Sequence, residues 1–313
     1  MFDIILQIKI LKVMKQFSAF ILILFCAGLA TAQEKTEAPK LWKKAGDFSI
    51  NFSQVSFSNW AAGGKNSVSG VALFNYSANY AKDRMSWDNS LNMGYGLLKE
   101  QSRDLVKSED KLEINSKVGY KMTEGGKWFF TGLTNFRTQF ADGYNYSDKD
   151  NPTRISSLLA PAYLTIAAGF DYKPTDKFSL FLSPLSGKFT FVADKELADA
   201  GAFGVDPGKK SRAEMGGTLK TELKFTVAKN VDAVTNLGLF SNYLKKPQNV
   251  DINWDFRLNM KVNKYLSANL LTNLIYDDDI KVPVDRNDDG INDGTGSRIQ
   301  LKQLFGAGLS VKF

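Results

Sequence analysis

Residues 284–296 read VDRNDDGINDGTG. Asp285, Asn287, Asp289 and Asp293 fall at positions 1, 3, 5 and 9 of a D-x-N-x-D-G-x-x-D spacing, with the backbone carbonyl of Ile291 at position 7 and Gly290 at the sharp turn of position 6. A hard cation such as Ca2+ is bound by a ring of oxygens of this kind, so these five residues, Asp285, Asn287, Asp289, Ile291 and Asp293, are the candidate metal ligands. Gly296 stands where an EF-hand has its bidentate Glu, which makes the loop more like the calcium loops of thrombospondin type 3 or dockerin repeats. Asp277, Asp278 or Asp279 is positioned in sequence to supply the missing carboxylate. A merely hydrophilic Asn/Asp/Gly loop is the competing reading. Calcium here would be structural, stiffening a long loop.

Other chemistry is constrained by what the chain lacks. It has no histidine, which removes Ser-His and Asp-His hydrolytic arrangements and most zinc and haem sites. The acidic residues within the alternating segments described next sit near Lys and Arg, and mutual neutralisation explains them without general acid-base work. No catalytic set and no organic cofactor site is predicted, and the chain is read as a non-enzyme.

The segments that must position these residues alternate. In VDINWDFRLNMKV (Val250–Val262) every second residue is apolar, with Asp251, Asn253, Asp255, Arg257, Asn259 and Lys261 between; period two makes a strand with one apolar and one polar face. The pattern recurs around Phe74–Tyr80, Leu91–Leu97, Leu112–Met122, Trp128–Phe140, Leu164–Tyr172, Phe178–Leu182, Met215–Val227, Val231–Tyr243, Leu266–Tyr276 and Ile299–Phe313. With Phe48–Phe57, where a phase slip at Ser53-Gln54 predicts a bulge, this gives about twelve strands long enough to cross a bilayer when tilted. A soluble sandwich would turn the apolar face inward; a transmembrane barrel turns it to lipid.

Connection lengths favour the barrel. Lys82–Arg84, Thr123–Gly126, Pro174–Asp176, Ala228–Asn230 and Asn263-Lys264 are tight, while 99–110, 141–160, 193–211 and 277–298 are long, the asymmetry of an outer-membrane barrel with short periplasmic turns. Tyr80, Trp87, Tyr120, Trp128, Tyr172, Phe178, Tyr265 and Phe313 lie beside the tight turns and predict an aromatic girdle. An even strand number places both ends of the barrel on the periplasmic side. The expected fold is therefore all-β: a transmembrane antiparallel up-and-down β-barrel of about twelve strands, over residues 47–313. The 193–211 connection is long enough to fold inward over the lumen or outward to a partner, and the sequence leaves both open.

At the N-terminus, MKQFSAFILILFCAGLATAQ from Met14 has a basic start, an apolar stretch and an Ala30-Thr31-Ala32 cleavage pattern. Residues 1–32 are read as a secretory signal peptide, the part before Met14 as a mis-assigned start, and 33–46 as a flexible periplasmic lead. Cys26, the single cysteine, lies in the signal, so the mature chain has no disulfide. Removing 1–32 lowers the formal charge from +7 to about +5. The basic residues are scattered and not gathered with aromatics, which argues against nucleic acid.

The chain closes on LKQLFGAGLSVKF, ending in an aromatic as outer-membrane proteins handled by the barrel-assembly machinery do. The stretch SFSNWAAGGKNSVSG, the WDNSLNMGYGLLK segment and SPLSGK at Ser183–Lys188 resemble an uncharacterised family of Bacteroidota outer-membrane proteins, a domain of unknown function. The resemblance spans most of the mature chain and implies a barrel in the outer membrane of a Gram-negative bacterium, but no activity and no site residues. The implied partners are membrane lipid and lipopolysaccharide, the barrel-assembly machinery during insertion, and other outer-membrane proteins. Lumen-facing Arg137, Lys220, Lys224, Arg257, Lys261 and Lys302, interleaved with Glu113, Glu222, Asp251 and Asp255, suit either an ion-paired filling or a weakly anion-favouring pore. A channel or accessory barrel of unknown substrate is the expected function; a structural subunit with a filled lumen and a surface adhesin are the alternatives.

Overall fold

Alternating sequences of this kind cannot bury both faces in one layer, and they satisfy their backbone only by pairing on both edges; closing the sheet on itself does so without leaving an edge. The computed structural model describes residues 41–56, 66–100, 105–146, 151–284 and 294–313. Its strands in chain order are β1 (Trp42–Val55), β2 (Ser67–Lys82), β3 (Met85–Glu100), β4 (Val106–Lys121), β5 (Trp128–Thr138), β6 (Gly143–Asn145), β7 (Thr153–Ser156), β8 (Ala162–Thr175), β9 (Phe178–Phe191), β10 (Ser211–Ala228), β11 (Val231–Asn242), β12 (Val250–Lys261), β13 (Leu266–Tyr276), β14 (Val282–Val284), β15 (Gly294–Gly296) and β16 (Gln300–Lys312). Twelve of them close into one antiparallel barrel in the order β1-β16-β13-β12-β11-β10-β9-β8-β5-β4-β3-β2. The remaining four form two small hairpins, β6 with β7 and β14 with β15, inside long connections.

Burial is inverted relative to a soluble protein, which excludes the sandwich. Phe52 and Phe305 are 62% and 65% exposed, whereas Thr131 and Asp171 are fully buried. An apolar outer wall around a polar interior is the arrangement that hydrocarbon outside and hydrated or paired groups inside require. Among the described residues no helix is long and apolar enough to cross a membrane.

The tight connections are built from local chemistry. Asp83 and Asn230 take positive φ (51° and 64°) in the β2–β3 and β10–β11 turns, a left-handed conformation that short polar side chains tolerate and two-residue hairpins demand. Beside these turns the predicted girdle is present: the tilted rings of Trp128 and Tyr172 lie 4.9 Å apart and Arg84 lies 4.8 Å over Tyr120. Trp42 joins it, 5.2 Å from Tyr80 and 5.7 Å from Trp87.

Trp42 also corrects one boundary. Residues 42–46 were expected in the flexible lead, yet β1 begins at Trp42, because that stretch pairs with β2 from Trp42↔Tyr80 onward. Residues 1–32 and 33–40 lie outside the described residues. A second correction concerns Ser53-Gln54: the register of β1 on β2 runs unbroken to Val55↔Ser67, so there is no bulge there. Bulges occur instead where β3 meets β4 and along β8 to β11. Around Pro184, which has no N–H to give to a ladder, Ser183 donates to the carbonyls of Ala168 and Leu185, and Ser186 donates to Ser183. The third correction is to the 99–110 connection, since β3 continues to Glu100 and β4 starts at Val106.

Candidate functional site: the bridged lumen

The alternation that turns Leu112 and Ile114 to the outside turns Lys111 and Glu113 inward. Lys111 pairs with Glu113 at 2.9 Å and with Asp255 of β12 at 3.6 Å. In the closed sheet five strands separate β4 from β12 in either direction, so this pair crosses the full width of the barrel. Arg137 of β5 reaches Asn253 of β12 at 3.2 Å, and Arg257 of β12 reaches Asn75 of β2 at 2.8 Å. Asn135 donates to Glu113 and Asn273 to Asp255. Lys220 stands among Glu113, Arg137 and Asp255. Mid-height of the lumen is thus occupied by charged side chains drawn from opposite walls.

Two further layers lie above and below. Toward the loop-rich end, Lys188 of β9 holds Asp251 at 2.5 Å, Asp277 at 3.0 Å and Glu214 at 3.8 Å, and its ammonium lies 5.3 Å over the ring of Phe240. Arg212 pairs with Glu214 and Asp279, both at 2.8 Å, and Lys302 of β16 pairs with Glu109 of β4 at 2.9 Å. Toward the short turns, Lys117 pairs with the fully buried Asp171 at 2.7 Å and donates to Ser179, while Lys173 reaches Asp88 at 2.5 Å. Charges removed from water are tolerated only when paired in good geometry. Each buried carboxylate of these layers has a cation within salt-bridge distance, although the paired oxygens Asp171 Oδ2 and Glu214 Oε2 lack a hydrogen bond of good geometry.

The mouth at the loop-rich end is bridged as well. Asp194 caps the short helix α1 (Lys195–Asp199) by accepting from the Leu197 N–H at 3.0 Å, and it also receives Arg154 of β7 at 2.7 Å. Ala160, Val192, Leu197, Ala198 and Val205 form a small apolar cluster beneath, with Ala202 and Phe203 against it. A methyl added at Gly204 would come within 2.7 Å of Arg212 Nη1 and 3.2 Å of the Asp279 carbonyl. The connection from β9 to β10 therefore reaches the segment after β13, across the positions of β11 and β12. Of the two directions open to it, this connection takes the inward one.

Asp277, Asp278 and Asp279, expected as a source of an extra calcium ligand, are committed here to cations. Asp277 binds Lys188, Asp279 binds Arg212 and Lys245, and Asp278 accepts from Lys246 and Asn249. The hydrogen bond from Lys246 holds the Asp278 carboxyl below its usual range. Asp279 is pushed up by burial, but its bond from Lys245 and the charge of Arg212 outweigh this and leave it lowered too. The five candidate ligands themselves, Asp285, Asn287, Asp289, Ile291 and Asp293, lie outside the described residues; they are bracketed by β14 and β15, whose pairing sets Val284 opposite Gly294.

Of the ten lumen residues named from sequence, Arg137, Lys220, Arg257, Lys302, Glu113, Asp251 and Asp255 enter the layers. Glu222 and Lys224 pair with each other at 2.8 Å, half-exposed, and Lys261 is exposed at the end of β12. Sequence reading missed Lys111, Lys117, Lys188 and Asp171. Lys111 and Asp171 were findable, since each alternates with outward apolar residues; Lys188 follows the Pro184 irregularity, where the phase is lost.

A family described as Protein of unknown function (DUF3078) matches residues 52–144. That range contains all of SFSNWAAGGKNSVSG and WDNSLNMGYGLLK but not SPLSGK, a narrower span than the resemblance suggested, and the description carries no activity. No curated protein matches the chain. Among solved structures, the translocator domain of autotransporter NalP from Neisseria meningitidis is 11% identical with a TM-score of 0.38, covering 96% of this chain and 95% of that one. An outer membrane channel from Pseudomonas putida F1 is 11% identical with a TM-score of 0.38, covering 89% and 100%. The Pseudomonas putida toluene transporter TodX is 9% identical with a TM-score of 0.30, covering 88% and 89%. The barrel architecture of this chain rests on its own strand pairing.

Proposed function

We propose that this chain is an outer-membrane barrel whose lumen is held shut by its own side chains, and that it serves as an accessory or structural barrel of the envelope and not as a diffusion pore. The observation that carries this reading is the Lys111–Asp255 pair at 3.6 Å, which joins opposite walls at a height where Arg137 and Arg257 also cross. An open pore of mixed polarity keeps its charges against the wall, where water solvates them; here they meet one another. Reconstitution in a planar bilayer tests it. The expected result is no stepwise conductance, and reproducible steps from the full chain would overturn the closed reading in favour of a channel.

In the same proposal the short-turn rim faces the periplasm. Both ends of the barrel chain lie at that rim, since Phe313 exchanges backbone bonds with Gly46 and Trp42 packs beside Trp87. Lipopolysaccharide then surrounds the loop-rich end, and the barrel-assembly machinery is the partner during insertion. Protease added to whole cells should cut the long connections and leave the tight turns intact; the reverse pattern would invert the orientation.

The calcium reading of 285–293 is kept as part of this proposal, supported by the ligand spacing and by the β14–β15 stem that would close such a loop. Isothermal titration of the detergent-purified chain with calcium should show a weak site that Asp289→Ala abolishes. Equal heats from wild type and Asp289→Ala would leave a hydrophilic loop.

A further inference from the structure

Eleven of the twelve junctions between neighbouring barrel strands run for ten or more paired positions, as in the fourteen from Trp42↔Tyr80 to Val55↔Ser67. The junction that closes the barrel does not. β1 and β16 pair only from Asp47↔Lys312 to Phe52↔Ala307. Beyond that point β1 still pairs with β2 up to Val55, and residues 300–306 of β16 still pair with β13, but the two strands no longer pair with each other. Backbone groups at a gap in a transmembrane wall need partners that hydrocarbon cannot give.

A cavity of about 230 Å³ lies at this gap. Its lining changes character from inside to outside. Asn51, Ser108 and Lys302 form the inner part, while the strongly exposed Phe52 and Phe305 flank the outer part. Ser108 contributes to the inner wall with its hydroxyl buried away from the cavity. Lys302 uses one bond on Glu109, and its side chain is 49% exposed while that of Glu109 is 6% exposed, so the ammonium keeps donors free toward the cavity. A polar inner end with a cation, opening between two phenylalanines to the lipid side, fits a molecule with an acidic head and one apolar tail.

We propose that the loop-rich end of the β1–β16 seam is a lateral port that takes a long-chain carboxylate from the surrounding membrane, its head at Lys302 and its tail leaving between Phe52 and Phe305. The port is independent of whether the axial lumen conducts, so its test and the conductance test fail separately.

The full chain in phosphatidylcholine nanodiscs, titrated with radiolabelled laurate, tests the port. Saturable binding is expected, unaffected by dodecylammonium. Ser69→Phe, which fills the cavity without touching a charge, should weaken it at least about tenfold, and Lys302→Gln at least about fivefold. Heat-modifiable gel mobility checks that each variant is folded; should Lys302→Gln fail to fold because Glu109 is left alone, Ser69→Phe decides. Absence of saturable laurate binding, an unchanged affinity in folded Ser69→Phe, or equal competition by dodecylammonium would each overturn the proposal.

Discussion

The two ends of the β1–β16 junction are closed by different means. At the short-turn end, Gly46 and Phe313 exchange backbone hydrogen bonds at 2.7 and 3.0 Å, and the Phe313 ring occupies the space a side chain on residue 46 would need. Here a glycine is required because an aromatic ring covers the neighbouring backbone. At the loop-rich end the strands part after Phe52 and Ala307, and what spans the interior is charge: Lys302 to Glu109 and Lys188 to its three carboxylates. One end is held by backbone pairing and aromatic packing, the other by side chains that cross the lumen. Ladder hydrogen bonds fix two strands to each other, whereas ion pairs fix distant strands and leave local gaps.

The largest effect should come from the charged end. Lys188→Met leaves Asp251 and Asp277 without their cation, while Glu214 keeps Arg212, and removing one partner of a buried ionic cluster costs about 3–5 kcal/mol. Urea unfolding from lipid vesicles measures it, and a loss below that of a surface substitution would show that the lumen is hydrated enough to solvate those carboxylates.

Next is the outer wall. Leu258 alternates with the lumen-facing Arg257, so Leu258→Arg sets a charge in hydrocarbon at a cost of about 2–4 kcal/mol, falling toward the interfaces. Asn259→Arg on the opposite face loses only its bond to Asn269 at 2.8 Å and should be the milder change. Equal losses on refolding into vesicles would mean that the faces are exchanged.

At the backbone-closed end, Gly46→Ala should destabilise by about 1–3 kcal/mol through overpacking against the Phe313 ring. In a Phe313→Ala background the same substitution should cost almost nothing, since the obstructing ring is gone; additive losses in that double-mutant cycle would separate Gly46 from Phe313.

The smallest effect is one of pH. The folded carboxyl of Asp278 titrates below its ordinary value of 3.8, so its contact with Lys246 contributes fully above that value and is lost as pH falls through the depressed one. Spin labels placed at residues 248 and 280 should move apart only in that acidic window. Separation near neutral pH would show that other contacts govern the loops.

The strands were legible because alternation is a local property: Val250–Val262 or Leu266–Tyr276 declares its two faces whatever surrounds it. The tight turns at Asp83 and Asn230 and the girdle beside them were legible for the same reason. Where a second strand decides the outcome, sequence reading failed. Residues 42–46 looked like a polar lead until pairing with β2 gave them partners, and the phase slip at Ser53-Gln54 looked like a bulge although it marks the point where β1 and β16 part.

The sequence by itself determined that this chain makes amphipathic strands in number and length for a membrane barrel, and which residues face lipid, since a period of two needs only neighbours in the chain. Tertiary structure alone decided that Lys111 meets Asp255, that Lys188 gathers three carboxylates, that the 192–210 connection turns inward and that the closing seam is left open at one end. Those contacts join residues far apart in sequence, and their geometry follows from the order and stagger with which twelve strands close into a ring, which no single strand encodes.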